Sequence, residues 1–342
     1  MGWLKISMAG VLLSTLMYAS PSDILISASD AIKLVGDKNV MFVTGDSEDI
    51  FATGHIKGSV EMFAHHLHHS NIMGQMECAP LFMCKKDAEK YISSKGISND
   101  TFVIAYDDFK GPNATGVYAF FKSWGHQKIK ILDGGRAAMM AADPEQAIYD
   151  GIKQKIKDAK EDKELVAKLT KELKAQEKKL IVQKGEEKEA KASTYVIDDA
   201  KIDYGYIAGK NELLKAVEDI LNNGAKSHFA IVDARGFEEI MGERKMDNAA
   251  RGGHLPGAKF IEWKNITDFK NKLSFMDLQS MQTVFDNNGI SKDKTIYAYC
   301  HVGTGRSSHI ITALELLGYK NVKVYTGSWD EWANDMNLPI RR

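Results

Sequence analysis

One cysteine stands where a reactive group would be placed. In Thr295-Ile-Tyr-Ala-Tyr-Cys-His-Val-Gly-Thr-Gly-Arg-Ser-Ser308, a β-prone run from Thr295 to Tyr299 stops at Cys300 and a glycine-rich loop follows. An apolar helix pattern then opens at Ser307, through Ile310, Ile311, Ala313, Leu314, Leu316 and Leu317. Strand, cysteine, tight loop and helix make a cradle. The loop N–H groups and the free N–H groups of the first helical turn converge on one centre and favour negative charge there. Those surroundings favour the thiolate, which is the nucleophilic form of cysteine. His301, Val302, Gly303, Thr304, Gly305 and Arg306 form the candidate substrate-binding loop. Gly303 and Gly305 are free to take positive φ, and Arg306 adds a fixed cation. His301 reads either as a donor to a bound anion that also tunes the thiolate, or as a loop residue without a role.

A second concentration of chemistry lies between residues 61 and 84. Glu61-Met-Phe-Ala-His-His-Leu-His-His69 carries four histidines. On a helix, His65 and His69, or His66 and His69, would share a face suited to a soft metal, and the alternative is a set of polar surface histidines. Our reading assigns no metal and no cofactor. Cys78 and Cys84 follow, with spacing that allows either a small disulfide or two free thiols.

The elements that position these groups are legible in the pattern. The 342 residues suffice for two domains, and 45 basic against 46 acidic side chains leave a net charge of −1. No global field attracts nucleic acid or an anionic membrane, so nucleic acid is not an expected partner. Three cysteines are too few for a disulfide-built fold. Met1 to Lys5 carries one cation and Ile6 to Ala19 is nearly all apolar, which suits the core of a secretory signal. Residues 1–20 are read as a signal peptide cleaved near Ala19 or Ser20, with an uncleaved anchor as the alternative. The body is expected to be exported, to a bacterial periplasm.

Strands at Val40–Thr44, Phe102–Tyr106 and Lys128–Leu132 alternate with helical stretches, which predicts a parallel α/β sheet. The same order returns at Phe229–Asp233, Thr295–Tyr299 and Val322–Tyr325, with GHIKGS answered by GHLPGA and ILDGG by VYTGS. The chain is a tandem repeat of one module. The fold class is therefore α/β, two parallel-sheet modules (residues 24–144 and 205–340) joined by a long charged helical connector (residues 145–198). Between Lys153 and Lys191, 13 basic and 9 acidic residues crowd 39 positions without a proline. The spacing predicts one long solvated helix over 152–184, about 50 Å if unbroken. Where the second copy has Cys300, the first has Asp107 or Asp108, and a carboxylate is no sulfur nucleophile. The first copy should be catalytically silent.

The second module resembles the rhodanese domain of the thiosulfate and mercaptopyruvate sulfurtransferases. The resemblance is carried by Val232-Asp-Ala-Arg235, Gly253-His-Leu-Pro-Gly-Ala258, Tyr299-Cys300 with its loop, Leu316-Leu-Gly-Tyr319 and Val324-Tyr-Thr-Gly-Ser-Trp-Asp-Glu-Trp332. The first module is similar through GHIKGS, Ala105–Asp108, Trp124-Gly-His126 and Leu132-Asp-Gly-Gly135. The resemblance implies an inactive N-terminal copy, an active C-terminal copy, and an active loop facing the cleft between them. It also implies a two-step reaction: Cys300 takes the outer sulfur of a small-molecule donor such as thiosulfate as a persulfide, and a thiol, cyanide or periplasmic protein acceptor removes it. Asp233 and Arg235 match the family's structural supports of the loop. Arg251, just before GHLPGA, reads either as a contact to an anionic donor or as a surface arginine. Arg306 lies six residues after Cys300, one more than the family pattern. Cysteine, five residues, arginine and serine is also the phosphate-cradling pattern of the protein tyrosine phosphatases, although Tyr299 replaces their histidine. Two alternatives stay open: an oxyanion (phosphate or arsenate) phosphatase or reductase, and a sulfane-sulfur carrier without turnover.

Overall fold

The computed structural model describes residues 21–187 and 189–342, and the signal peptide expected at residues 1–20 lies outside the described residues. Short runs of β-branched and aromatic residues form the central strands, which are largely buried on both faces as parallel sheets require, while the edge strand Lys259–Phe260 is exposed. The first sheet contains β1 (Leu25–Ile26), β2 (Val40–Thr44), β4 (Val60–Glu61), β5 (Phe102–Tyr106) and β6 (Ile129–Leu132), in spatial order β1-β6-β5-β2-β4. The second contains β8 (Ile207–Ala208), β9 (Phe229–Asp233), β10 (Lys259–Phe260), β11 (Thr295–Tyr299) and β12 (Val322–Tyr325), in order β10-β9-β11-β12-β8. Read from the other edge, the second order is the first one repeated, and every pairing in both sheets is parallel. The repeat extends to one further pairing. β3 (His55–Ile56) pairs antiparallel with β7 (Val182–Gln183), and His254 makes an antiparallel bridge with Arg341. The strand that returns from the connector thus serves the first module as the C-terminal tail serves the second.

The connector differs from the single long helix expected. It holds two helices, Pro144–Asp158 and Lys163–Glu177. They fold back on one another, because the Gln176 amide donates to the backbone and side chain of Glu145. The break has a local cause. The side chain of Asp162 accepts from the N–H of Leu165 at 3.0 Å and so caps a new helix. Beyond residue 188 the chain packs on the first module: Tyr195 is buried and its hydroxyl lies 3.1 Å from His126 Nδ1.

The modules meet through the helices that follow their two cradles, Pro112–Ser123 and Arg306–Leu316. Both are buried on nearly all sides, as helices packed between two modules must be. Gly116 permits the approach, since a Cβ there would sit 2.9 Å from Ala64 Cβ and 3.1 Å from Gly305 N. Farther along, Lys122 of one helix is paired with Glu315 of the other beneath the rings of Tyr118 and Tyr206. Burial pushes the Glu315 carboxyl up, and Lys122 opposes it. Replacing Lys122 by Met keeps the stem and strands the carboxylate. Lys122→Met should therefore destabilise the protein by about 2 kcal/mol in urea unfolding, and Lys122→Met/Glu315→Leu should recover most of it. A single variant as stable as the wild type would show that the pair is immaterial to the module interface.

Candidate active site

Cys300 follows the central strand β11, whose register pairs Tyr299 with Asp233 at the end of β9. Three buried side chains tie those strand ends together. Arg235 donates to the Asp233 carboxylate at 2.9 Å and 2.7 Å and to Gly253 O at 2.7 Å, with its guanidinium 4.4 Å from the Trp329 ring. The Tyr299 hydroxyl donates to the same carboxylate and accepts from Leu255 N–H at 3.1 Å. Asp233 and Arg235 are thus enclosed beneath the loop, with 0% and 1% of their surface exposed. Arg251 is not near the thiol. Its guanidinium is taken up by the carbonyls of Trp332, Ala333, Asp335 and Leu338, so it pins the C-terminal tail and does not reach an anionic donor.

The loop itself leaves β11 under steric constraint. Gly303 has φ +82°, and a Cβ there would lie 2.4 Å from Thr326 O, while Gly305 has φ +122°. Cys300 N–H donates to Ser328 Oγ at 3.2 Å, and the carbonyls of Cys300 and His301 accept from Trp329 and Asp330 N–H. Ser307 Oγ is 2.6 Å from Gly303 O and 3.4 Å from Cys300 Sγ. Its single proton serves one of them at a time. Among the described residues, no N–H from His301 to Gly305 has a partner within the chain. Those donors are available to a negative charge on or beyond Sγ.

Arg306 is held by Glu239, with Nη1 to Oε2 at 2.6 Å and Nη2 to Oε1 at 3.1 Å. Burial works against the Glu239 carboxylate, but Arg306, Arg235 and Arg244 outweigh it and hold the carboxyl down to about 2. Burial and then Arg306 depress His301 to about 4 and also lower His65. Both rings are neutral at physiological pH.

Cys300 and its loop line a cleft of about 560 Å³ between the modules, and the far wall comes from the first module through Asp46, His65, Asp107, Asp108 and Asn113. Asp107, not Asp108, stands where Cys300 stands, directly after β5. Its carboxylate accepts from the N–H groups of Gly111, Asn113 and Ala114 at 3.1, 3.2 and 3.1 Å. The first cradle is therefore filled by its own side chain. Burial, then Asp46 and Asp108, push Asp107 up to about 7. A second cavity, about 680 Å³, lies between the connector and the first module and is lined by no cysteine.

The histidine run forms a 3₁₀ turn, Ala64–Leu67, so His65, His66 and His69 do not share a helix face as a metal pair would require. Among the described residues no group of three or more His, Cys, Asp or Glu is arranged around a metal position. Cys78 and Cys84 are joined as a disulfide. Glu239, Ser328 and Asn248 reach the loop from 28 to 67 positions away in sequence, and of these only Ser328 lies in a motif, VYTGS.

The Glu239 pair has a pH signature. A carboxyl lowered in the folded state contributes stability that is fully present above its unfolded value near 4.5. That stability is lost as pH falls from there toward about 2. Glu239→Gln should be less stable at neutral pH and show a flatter loss of stability below about pH 4.5. Urea titrations at stepped pH measure both, and parallel acid limbs for the two proteins would contradict the assignment.

Sequence comparison adds a lineage to this geometry. The rhodanese-like domain is matched at residues 27–142 and again at 213–335. A sulfur carrier protein, TtuD, of Thermus thermophilus is 27% identical over 338 residues, covering 95% of this chain and 98% of its own. A Saccharopolyspora erythraea protein, provisionally named a thiosulfate sulfurtransferase, is 27% identical over 329 residues, covering 94% and 97%. Among solved structures, the anaerobic ergothioneine biosynthesis enzyme of Chlorobium limicola superposes with a TM-score of 0.68 at 17% identity, over 94% of this chain and 70% of its own. A form of the enzyme EanB bearing a cysteine persulfide gives 0.69 at 17%, over 94% and 71%. At that identity the likeness is one of fold. With both of its modules matched in the order in which they fold, the chain belongs to the rhodanese-like domain family.

Proposed function

We propose that the protein is a sulfurtransferase in which Cys300 carries sulfane sulfur as a persulfide. The observation that supports this most directly is the unpaired row of loop N–H groups around a free thiol at the floor of a two-module cleft. With thiosulfate as donor, the thiolate attacks the outer sulfur and the sulfur–sulfur bond of the donor breaks. Sulfite leaves with that electron pair, and Cys300–S–S⁻ remains in the cradle. The negative charge stays within reach of the same N–H groups before and after transfer, which lowers the barrier by preorganised electrostatics. Asp107 supports the reading from within the molecule, because the oxygens of its carboxyl group fill the equivalent cradle and accept from three of its N–H groups.

The names of the two full-length relatives favour sulfur chemistry, and the sulfur carrier keeps a second reading in view: loading without fast turnover. Arg306 weighs against an oxyanion phosphatase, because both of its terminal nitrogens are engaged by Glu239. We also place the protein in an exported setting, a bacterial periplasm, on the apolar run Ile6–Ala19 and the Cys78–Cys84 disulfide. A periplasmic thiol protein then joins small thiols and cyanide as an acceptor.

The test uses wild type and Cys300→Ser with thiosulfate, mercaptopyruvate and a phosphate ester. Wild type should gain the mass of one sulfur on Cys300 and pass it to cyanide or a thiol. Cys300→Ser should lose at least roughly a thousandfold in rate. Loading without turnover would select the carrier reading, and phosphate-ester hydrolysis without sulfur transfer would overturn the proposal.

A further inference from the structure

His301, next to the thiol, is 7% exposed, and its Nδ1 is buried without a partner among the described residues. The state of that nitrogen follows from the opposite side of the ring. Nε2 lies 3.0 Å from Asn248 Oδ1. The Asn248 amide is oriented in turn, since its Nδ2 donates to Asp330 Oδ1 at 2.8 Å. Asp330 also accepts from Asn334 Nδ2 at 3.3 Å and from Ser70 of the first module. A carboxylate only accepts, so the NH₂ group of Asn248 must face Asp330 and its carbonyl must face His301. A carbonyl also only accepts, so Nε2 carries the ring's proton. Burial raises Asp330 to about 6, which leaves it a carboxylate at neutral pH, and the depressed His301 has only one N–H. Nδ1 is therefore a bare lone pair.

A buried acceptor left unmet costs about 1–3 kcal/mol. This one belongs to a residue lining the Cys300 cleft, where Thr304, 0% exposed, also keeps an unpartnered hydroxyl. Two unmet polar groups beside the nucleophile mark a place built for a ligand that donates a hydrogen bond. We infer that His301 Nδ1 receives the S–H of a thiol acceptor and positions its sulfur on the Cys300 persulfide, with Asn248 and Asp330 as positioning residues that hold the required tautomer. The inference rests on the persulfide reading above. In the step itself, RSH and Cys300–S–S⁻ give RS–S⁻, Cys300–S⁻ and a proton. The acceptor's sulfur bonds to the outer sulfur, and the Sγ–S bond breaks with its electron pair passing to Sγ. The thiol proton passes to bulk water from the cleft, and no external oxidant or reductant is needed.

Selectivity between acceptors is the readout. Glutathione can donate from S–H, whereas the sulfite dianion has no hydrogen to give. His301→Gln keeps a polar group near Nε2 but removes the Nδ1 acceptor, and His301→Asn returns an oxygen near the Nδ1 position. With the persulfide loaded from thiosulfate and quantified by mass, kcat/KM for glutathione should fall about tenfold to a hundredfold more than that for sulfite in His301→Gln. His301→Asn should recover part of the difference. Nitrogen-15 NMR of the full-length protein should show the Nε2–H tautomer of His301, and Asn248→Leu should give a tautomer mixture with a smaller loss toward glutathione. An equal fall for both acceptors, no fall for glutathione, or an Nδ1–H tautomer in the wild type would overturn the inference. Failure of the wild type to load sulfur would instead overturn the persulfide reading, so the two failures are distinguishable.

Discussion

The geometry of the cleft depends on a buried ion pair that never touches it. Asp233 ends the strand beside β11 and Arg235 follows two residues on, and through Tyr299 they fix the point at which β11 stops. Such a pair contributes little net stability, because removing two charges from water offsets their attraction. Its value is registry. The carboxylate can satisfy Arg235 and the Tyr299 hydroxyl together only in one alignment of the two strand ends, and Cys300 is the next residue. Arg235 reaches onward to Gly253 O and lies flat on Trp329, so the GHLPGA turn, the loop and the helix after β12 share one origin. The first module shows what remains without the pair. Thr44 and Asp46 stand in the places of Asp233 and Arg235, yet Tyr106 still accepts from Ile56 N–H at 3.1 Å, as Tyr299 accepts from Leu255. The scaffold survived while the charged registry was lost.

The two cradles also explain one another. After β5 the carboxylate of Asp107 gathers three N–H groups of its own loop, and after β11 the same kind of loop leaves its N–H groups unpaired around a thiol. A loop that has to be rigid needs its donors satisfied. In the first copy the chain supplies the acceptor permanently, as the Asp107 carboxyl group. In the other copy a thiol stands in that place, and the loop is held instead from beneath by Ser328, Trp329 and Asp330. The first cradle therefore has a structural role. It stiffens one wall of the cleft and presents Asp46, His65 and Asn113 to whatever binds at the other.

Strands, repeat and the cysteine loop were legible because each is encoded locally. β-branched and aromatic runs mark β2, β5, β9 and β11, and glycines at 303 and 305 mark a backbone that other residues would strain. The position of Asp107 could be narrowed only to two residues, until the end of β5 decided it. The connector was misjudged because its run of charges looks alike throughout. The N-cap at Asp162, with Leu165 three residues on, was a readable signal hidden among acids that cap nothing. The partners of Arg306 and His301 carried no such signal. Glu239 and Asn248 meet the loop across 67 and 53 positions, and that proximity exists only once the sheet order is set. Arg251 illustrates the converse, since an arginine beside a family motif is explained entirely by the carbonyls of the C-terminal tail.

The lengthened loop takes its meaning from Glu239. One extra residue after Cys300 places Arg306 at the first turn of the following helix, where a free guanidinium would strengthen the pull on a multiply charged oxyanion. Here that fork is closed by a carboxylate of matching shape, and the pair is largely buried. The cleft beside the thiol is lined by the loop backbone and a neutral imidazole, with Arg244 held on Glu239 and Lys245 on the Ala249 carbonyl. With its own arginine fork closed, the loop offers a thiolate or persulfide its backbone N–H groups rather than a free guanidinium. In sequence, the spacing from Cys300 to Arg306 pointed to phosphate chemistry. In the fold, the same arginine is engaged by a glutamate that the motif does not contain.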